Sequence, residues 1–222
     1  MAFACSSLGF AEEGKLPPTS EQQKELTPDS VLKNLMDGNK RYMEGKLSNP
    51  NVAKRIEATT SGQYPKAVIL SCIDSRVPVE QVFDQGVGDI FVGRVAGNIE
   101  NKDQLGSMEY ATKVAGAKLV MILGHESCGA VKGACDHVEM GNITHLLENI
   151  NPAVDAVTDV PEDQRNSKNK EFVAKVVEEN VRMTLKDIRE QSEILREMEK
   201  TGEIMIVGAV YSLHDGAVTL LK

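Results

Sequence analysis

Four short, unbroken apolar runs constrain this chain more than any other feature: AVILS at 67–71, DIFVG at 89–93, LVMIL at 119–123 and IMIVGAV at 204–210. A strand that alternates apolar and polar residues keeps one wet face. A strand that is apolar throughout is buried on both faces, which places it in a parallel sheet covered by helices. The connections agree. Leu105, Met108, Tyr110, Ala111, Val114 and Ala115 recur at helical spacing between the second and third runs, and a strand–helix–strand crossover joins parallel strands. Phe172, Val173, Val176, Val177, Val181, Leu185 and Ile188 form one apolar face along 172–198, a core-facing helix ended by Gly202. The predicted fold is α/β, a central, mostly parallel β-sheet flanked by helices.

Upstream, Thr27 and Pro28 read as an N-cap followed by proline in the first turn, and Val31, Leu32, Leu35, Met36, Asn39, Tyr42 and Met43 carry a helix to about Glu44. A shorter helix is expected over 52–59, and Ser61, Gly62 and Pro65 break the chain before the first strand. Residues 151–170, polar and punctuated by proline, read as a loop between helices. The 222 residues, without an internal repeat, suit one domain over 27–222 preceded by a flexible segment at 1–26. That segment begins MAFACSSLGFA, small and apolar, and turns abruptly polar. It reads either as the remnant of an export signal, placing the protein in the periplasm or outside the cell, or as an ordinary terminus of a cytoplasmic protein; a basic start is missing. Cys5 is a weak match to a lipidation site.

A net charge of -8 with no basic stripe argues against binding nucleic acid or an anionic membrane surface. No apolar run approaches the roughly 20 residues that cross a bilayer. Four cysteines, Cys5, Cys72, Cys128 and Cys135, are too few and too unevenly spread for a disulfide scaffold, so metal binding is the better use for them. Cys135 reads as a small buried thiol.

Two segments carry chemistry: SCIDSR at 71–76, directly after the first apolar run, and GHESCGA at 124–130, directly after the third. Carboxyl ends of parallel strands line the crevice where ligands bind, so the two loops converge despite their separation. Cys72, His125 and Cys128 offer two thiolates and an imidazole, a set that suits Zn²⁺, and three ligands rather than four leave a position for water. Two thiolates make zinc a poorer Lewis acid than three imidazoles do, so the water needs help from beyond the ligands. Asp74 and Arg76 supply it: the guanidinium clamps the carboxylate, keeping it ionised and oriented to accept a hydrogen bond from zinc-bound hydroxide. An isolated Asp-x-Arg is ordinarily a solvated surface pair. Beside a metal cysteine it acquires a task.

The combination of Cys-x-Asp-x-Arg with His-x-x-Cys-Gly resembles the signature of the β-class carbonic anhydrases. GNKRYMEG at 38–45, FDQGVGDIFVGRVAGN at 83–98, GSMEYA at 106–111, NVRMTL at 180–185 and IVGAVYSLHDG at 206–216 extend the resemblance over roughly 28–218. It implies one Zn²⁺ per chain on Cys72, His125 and Cys128, an orienting pair of Asp74 and Arg76, and Gln85 as a hydrogen-bond donor to bicarbonate. It also implies a homodimer or dimer of dimers whose N-terminal helices pack on the partner. The reaction implied is reversible hydration of carbon dioxide to bicarbonate and a proton. One subgroup uses tryptophan in a bicarbonate switch, and this chain has none. His137, His145 and His214 are expected at the surface, one of them available to shuttle protons. Gly86, Gly88 and Gly97 are expected in tight turns. Three other readings stay open: hydrolysis of carbon disulfide or carbonyl sulfide on the same fold, a non-catalytic zinc-stabilised interaction module, which leaves Asp74 and Arg76 idle, and a thiol redox protein, which lacks its usual Cys-x-x-Cys.

Overall fold

A computed structural model describes residues 16–48 and 51–222; residues 1–15, which carry the export-signal and lipidation readings, lie outside the described residues. In chain order the elements are α1 (Ser20–Lys24), α2 (Pro28–Met43), α3 (Val52–Thr59), β1 (Ala67–Ser71), α4 (Val79–Val82), β2 (Ile90–Arg94), α5 (Lys102–Glu109), β3 (Leu119–His125), α6 (Gly129–Cys135), α7 (Gly141–Glu148), α8 (Asn151–Ala156), α9 (Lys170–Gln191), α10 (Glu193–Lys200), β4 (Met205–Tyr211) and β5 (Val218–Leu220). The sheet order is β2-β1-β3-β4-β5, parallel except for the β4–β5 pair. The mostly parallel sheet flanked by helices is as the apolar runs predict.

Side-chain alternation along β1 and β3 divides the helices between two faces. Ile69, Met121 and Leu123 pack with Val31 and Leu35 of α2 and Val79 and Val82 of α4. Val68, Leu70, Val120 and Ile122 face Leu105 and Met108 of α5, Val181 and Ile188 of α9, and Leu195 of α10. Both strands are buried at every position, which is why their sequences show no polar alternation. On the first face α2 packs so closely that a Cβ on Gly38 would sit 1.9 Å from the Phe83 carbonyl oxygen.

Capping chemistry explains the departures from expectation. The face read as one helix over 172–198 breaks at Ser192, whose backbone is extended and whose Oγ accepts from Leu195 N at 3.2 Å, starting α10. A serine offering an N-cap outcompetes helix continuation there. The expected loop at 151–170 contains α8, with Pro152 in its first turn and Ala153 and Val154 buried against α9, and a 3₁₀ turn at Glu162–Gln164. Beyond Glu109, α5 widens into a π turn over Tyr110–Val114, where the Thr112 hydroxyl donates to Met108 O. Within 1–26, Thr19 and Gln22 form a capping box on α1, and the Gln23 amide donates to Pro65 O at 2.6 Å and Ala115 O at 2.8 Å. β5 has no clear apolar run of its own; it pairs with β4 through residues 209–211.

Candidate metal centre

The strand order carries the chain from β1 outward to β2 and then back across to β3, so the connections leaving β1 and β3 part on opposite sides. That switch point opens a crevice at the carboxyl ends of β1 and β3. Ser71 pairs with Leu123 in register, and its hydroxyl donates to Leu123 O, so Cys72 and His125 emerge side by side. Ser127, with φ at 53°, turns the chain sharply between His125 and Cys128, a left-handed conformation that costs a serine roughly 1–2 kcal/mol. The turn brings Cys128, just ahead of α6, back to the same point.

The ligand atoms of Cys72, His125 and Cys128 lie within 4.8 Å of one another, all three residues are buried, and the two sulfurs are 3.9 Å apart. Among the described residues no other group of histidine, cysteine and carboxylate converges this way. His125 Nδ1 lies 2.8 Å from Glu126 O; a carbonyl only accepts, so Nδ1 carries the proton and Nε2 offers a lone pair. Nε2 is buried with no hydrogen-bond partner among the described residues, the state expected of a nitrogen that ligates a cation. The sulfurs bear charge unequally. The Cys128 thiol donates to Cys72, and this, with the neighbouring His125 imidazole and amide donors at Gly97 and Asp74, holds Cys72 well below the ordinary thiol value against burial. Cys128 is pushed up by the same bond and by its burial, opposed by the amides of Val131 and Ala130. A dication between them would draw both to thiolate, so donor set, tautomer and unpartnered nitrogen all fit a metal ion.

Asp74 stands at the edge of this cluster. Arg76 Nε donates to Oδ1 at 2.9 Å, its terminal nitrogen to Oδ2 at 2.8 Å, and its backbone N–H to Oδ1 at 3.0 Å. The guanidinium holds the Asp74 carboxyl well below the usual carboxylate range. Five of the six predicted site residues are thus brought together. Gln85 is not among them: its amide donates to Phe83 O at 2.6 Å, and it lines a separate cleft of roughly 1140 Å³ with α1, α3 and Asp89. His137, His145 and His214 are exposed, as expected.

The carbonic anhydrase family model matches residues 67–218, well over half of the chain and both motif loops. The chain belongs to the β-carbonic anhydrase family. Carbonic anhydrase 2 of Mycobacterium tuberculosis is 35% identical over 204 residues, covering 87% of this chain and 92% of that protein. A β-carbonic anhydrase of Aspergillus fumigatus has the same fold, with a TM-score of 0.68 at 23% identity, over 87% of this chain and 89% of its own. A tetrameric β-carbonic anhydrase of Sordaria macrospora gives 0.65 at 22% identity, over 87% and 97%. The enzymatic activity of the present chain is that of a carbonic anhydrase.

Two residues of this β-carbonic anhydrase that hold the site are not evident in the motifs. Arg94, at the end of β2, donates to Cys72 O at 2.8 Å and Asp74 O at 2.6 Å, fixing the loop that carries both. An arginine directly after an apolar run is the available signal. Glu126 holds His125 through its carbonyl and is itself pinned, donating from its N–H to Tyr211 O and accepting from Leu213 N on its carboxylate.

Proposed function

We propose that the protein hydrates carbon dioxide reversibly to bicarbonate and a proton at one Zn²⁺ held by Cys72, His125 and Cys128, with Asp74 and Arg76 orienting the attacking water. The observation that carries this reading is the buried, unpartnered His125 Nε2 beside two sulfurs 3.9 Å apart. Thiolates bound at about 2.3 Å to a tetrahedral zinc stand about 3.8 Å apart, and thiolate with imidazole suits zinc over the oxygen-seeking cations. When bound, the ion supplies the Lewis acidity that makes water a nucleophile near neutral pH.

The residues of the chain supply orientation. Asp74, kept ionised by Arg76, only accepts hydrogen bonds, so it takes one O–H of the water and leaves a lone pair directed at the carbon of the substrate. Arg76 must remain a bidentate clamp, since a carboxylate released from it is free to turn. Exposed His214, close in sequence to the β4 end, is available to pass the released proton to buffer.

A dimer or dimer of dimers completes this reading. Leu16 and Tyr64 line the cleft of α1 and α3, and Val52 and Ile56 stand exposed by more than half on α3, apolar side chains suited to a second copy. Gln85 belongs to that face, where its buried, unpartnered Oε1 gains groups to meet. Stopped-flow hydration of carbon dioxide at pH 8.5, with zinc content measured in parallel, tests the proposal. Fast turnover with one zinc per chain, reduced about 100-fold in Asp74→Ala with zinc retained, supports it. Zinc without hydration, or turnover of carbonyl sulfide alone, overturns it.

A further inference from the structure

Behind the cluster, the turn after β2 is held from three sides. Val95 N donates to Ser71 O, Asn98 N donates to Val95 O, and the Asn180 side-chain amide donates to Gly97 O at 2.8 Å. From that turn Gly97 N donates to Cys72 Sγ at 3.4 Å. Asn180 is 2% exposed and sits on α9, whose position is set by close approach: a Cβ on Gly124 or on Gly208 would meet Val181 at 2.7 Å. Gly97 has φ 74° and no room for a side chain, because its Cβ would lie 2.6 Å from Ile150 Cδ1. The NVRMTL segment therefore places one amide on the turn that donates to a metal sulfur.

We propose that Asn180 is a positioning residue for Cys72, acting through the Gly97 peptide to keep an N–H···S hydrogen bond on the ligating sulfur. The inference rests on the reading of Cys72 as a metal ligand. An N–H donor withdraws electron density from a thiolate, so less negative charge reaches the metal and its water ionises more readily. A centre with two thiolates needs that relief most.

The test uses the whole protein loaded with cobalt, whose thiolate-to-metal absorption band reports the electron density on sulfur, alongside chelator competition and the pH profile of hydration by the zinc form. Asn180→Leu and Asn180→Asp both remove the donation to Gly97 O, and the second preserves shape should the first fail to fold. Thr184→Val, buried one turn along α9, controls for general loosening of the helix. The expected result is a cobalt band moved to longer wavelength, metal affinity reduced about 10-fold, and a pH midpoint moved upward in the Asn180 variants but not in Thr184→Val. A band and a midpoint at the wild-type positions in a folded Asn180 variant, whatever its melting temperature, overturn the proposal and leave Asn180 a packing residue. Absence of any thiolate-to-cobalt band in the wild type instead overturns the metal reading itself.

Discussion

Asp74 Oδ2 lies 3.9 Å from His125 Nε2, a buried nitrogen with no hydrogen-bond partner among the described residues. The same oxygen accepts the Arg76 guanidinium at 2.8 Å, so the carboxylate can turn onto the centre only by giving up that bond. Two loops from different strands thus set an acceptor beside a ligand nitrogen, and a third residue decides which way the acceptor faces.

Arg76→Lys separates charge from geometry. Lysine keeps the positive charge but cannot grip both carboxylate oxygens, so hydration is expected to fall about 10–100-fold with metal content unchanged, measured by stopped flow. Wild-type rates would show that charge alone suffices. Arg76→Ala adds a pH signature. The Asp74 carboxyl is depressed in the folded protein, first by its hydrogen bonds to Arg76. A depressed carboxyl stabilises the fold above its unfolded value, about 4, and that contribution is lost as pH falls towards the folded value. Urea midpoints of wild type and Arg76→Ala should therefore differ most near pH 7 and approach each other below about pH 4.

The three described cysteines should behave differently. Cys135 is buried in the core that α6, α8 and α9 share with Cys72 and Cys128 but is not one of the converging ligands, and its thiol is pushed up to about 11 by burial. Cys135→Ala is expected to retain one metal per chain and full activity at a stability loss of about 1 kcal/mol, whereas Cys72→Ala or Cys128→Ala should abolish tight metal binding. Metal analysis of the three variants checks this; loss of metal from Cys135→Ala would contradict the ligand assignment.

The sheet and the ligands were legible because burial on both faces leaves no polar alternation in β1 and β3, and because Cys72, His125 and Cys128 sit where those runs end. Residues whose meaning depends on a distant partner were not. Ser192 reads as one more polar position on a long helix until Glu109 and Leu195 are seen to engage it. Arg94 looks like a strand end until its guanidinium reaches two carbonyls of the loop that follows β1. The grouping of Gln85 with the other site residues came from resemblance alone, and its own geometry places it on another cleft.

Close packing makes Gly38 intolerant of the smallest change. A methyl group there meets backbone, the Phe83 carbonyl at 1.9 Å, which cannot rotate away as a flexible side chain does. Gly38→Ala should therefore destabilise the protein by about 1–3 kcal/mol or more despite the better helix propensity of alanine. A melting temperature equal to or above wild type would show that α2 docks less tightly than described.

Asp89 supports the other end of the sheet, and its removal should be among the most damaging single changes. Its carboxylate meets Arg55 at 2.6 Å and accepts from Gly86 N at 2.8 Å, while Arg55, only 2% exposed, also donates to Val87 O. Asp89→Ala removes a close counter-charge from a buried guanidinium, a loss of about 3–5 kcal/mol. The group as a whole, which includes Lys66 at 3.5 Å from the other Asp89 oxygen, is worth far less, because its formation also removed charges from water. The double variant Asp89→Leu, Arg55→Met should accordingly recover much of the loss. Chemical denaturation of the single and double variants measures both quantities. A double variant as unstable as Asp89→Ala would mean that the charges themselves, and not the cost of burying Arg55 beside a lost carboxylate, hold α3 against the start of β2.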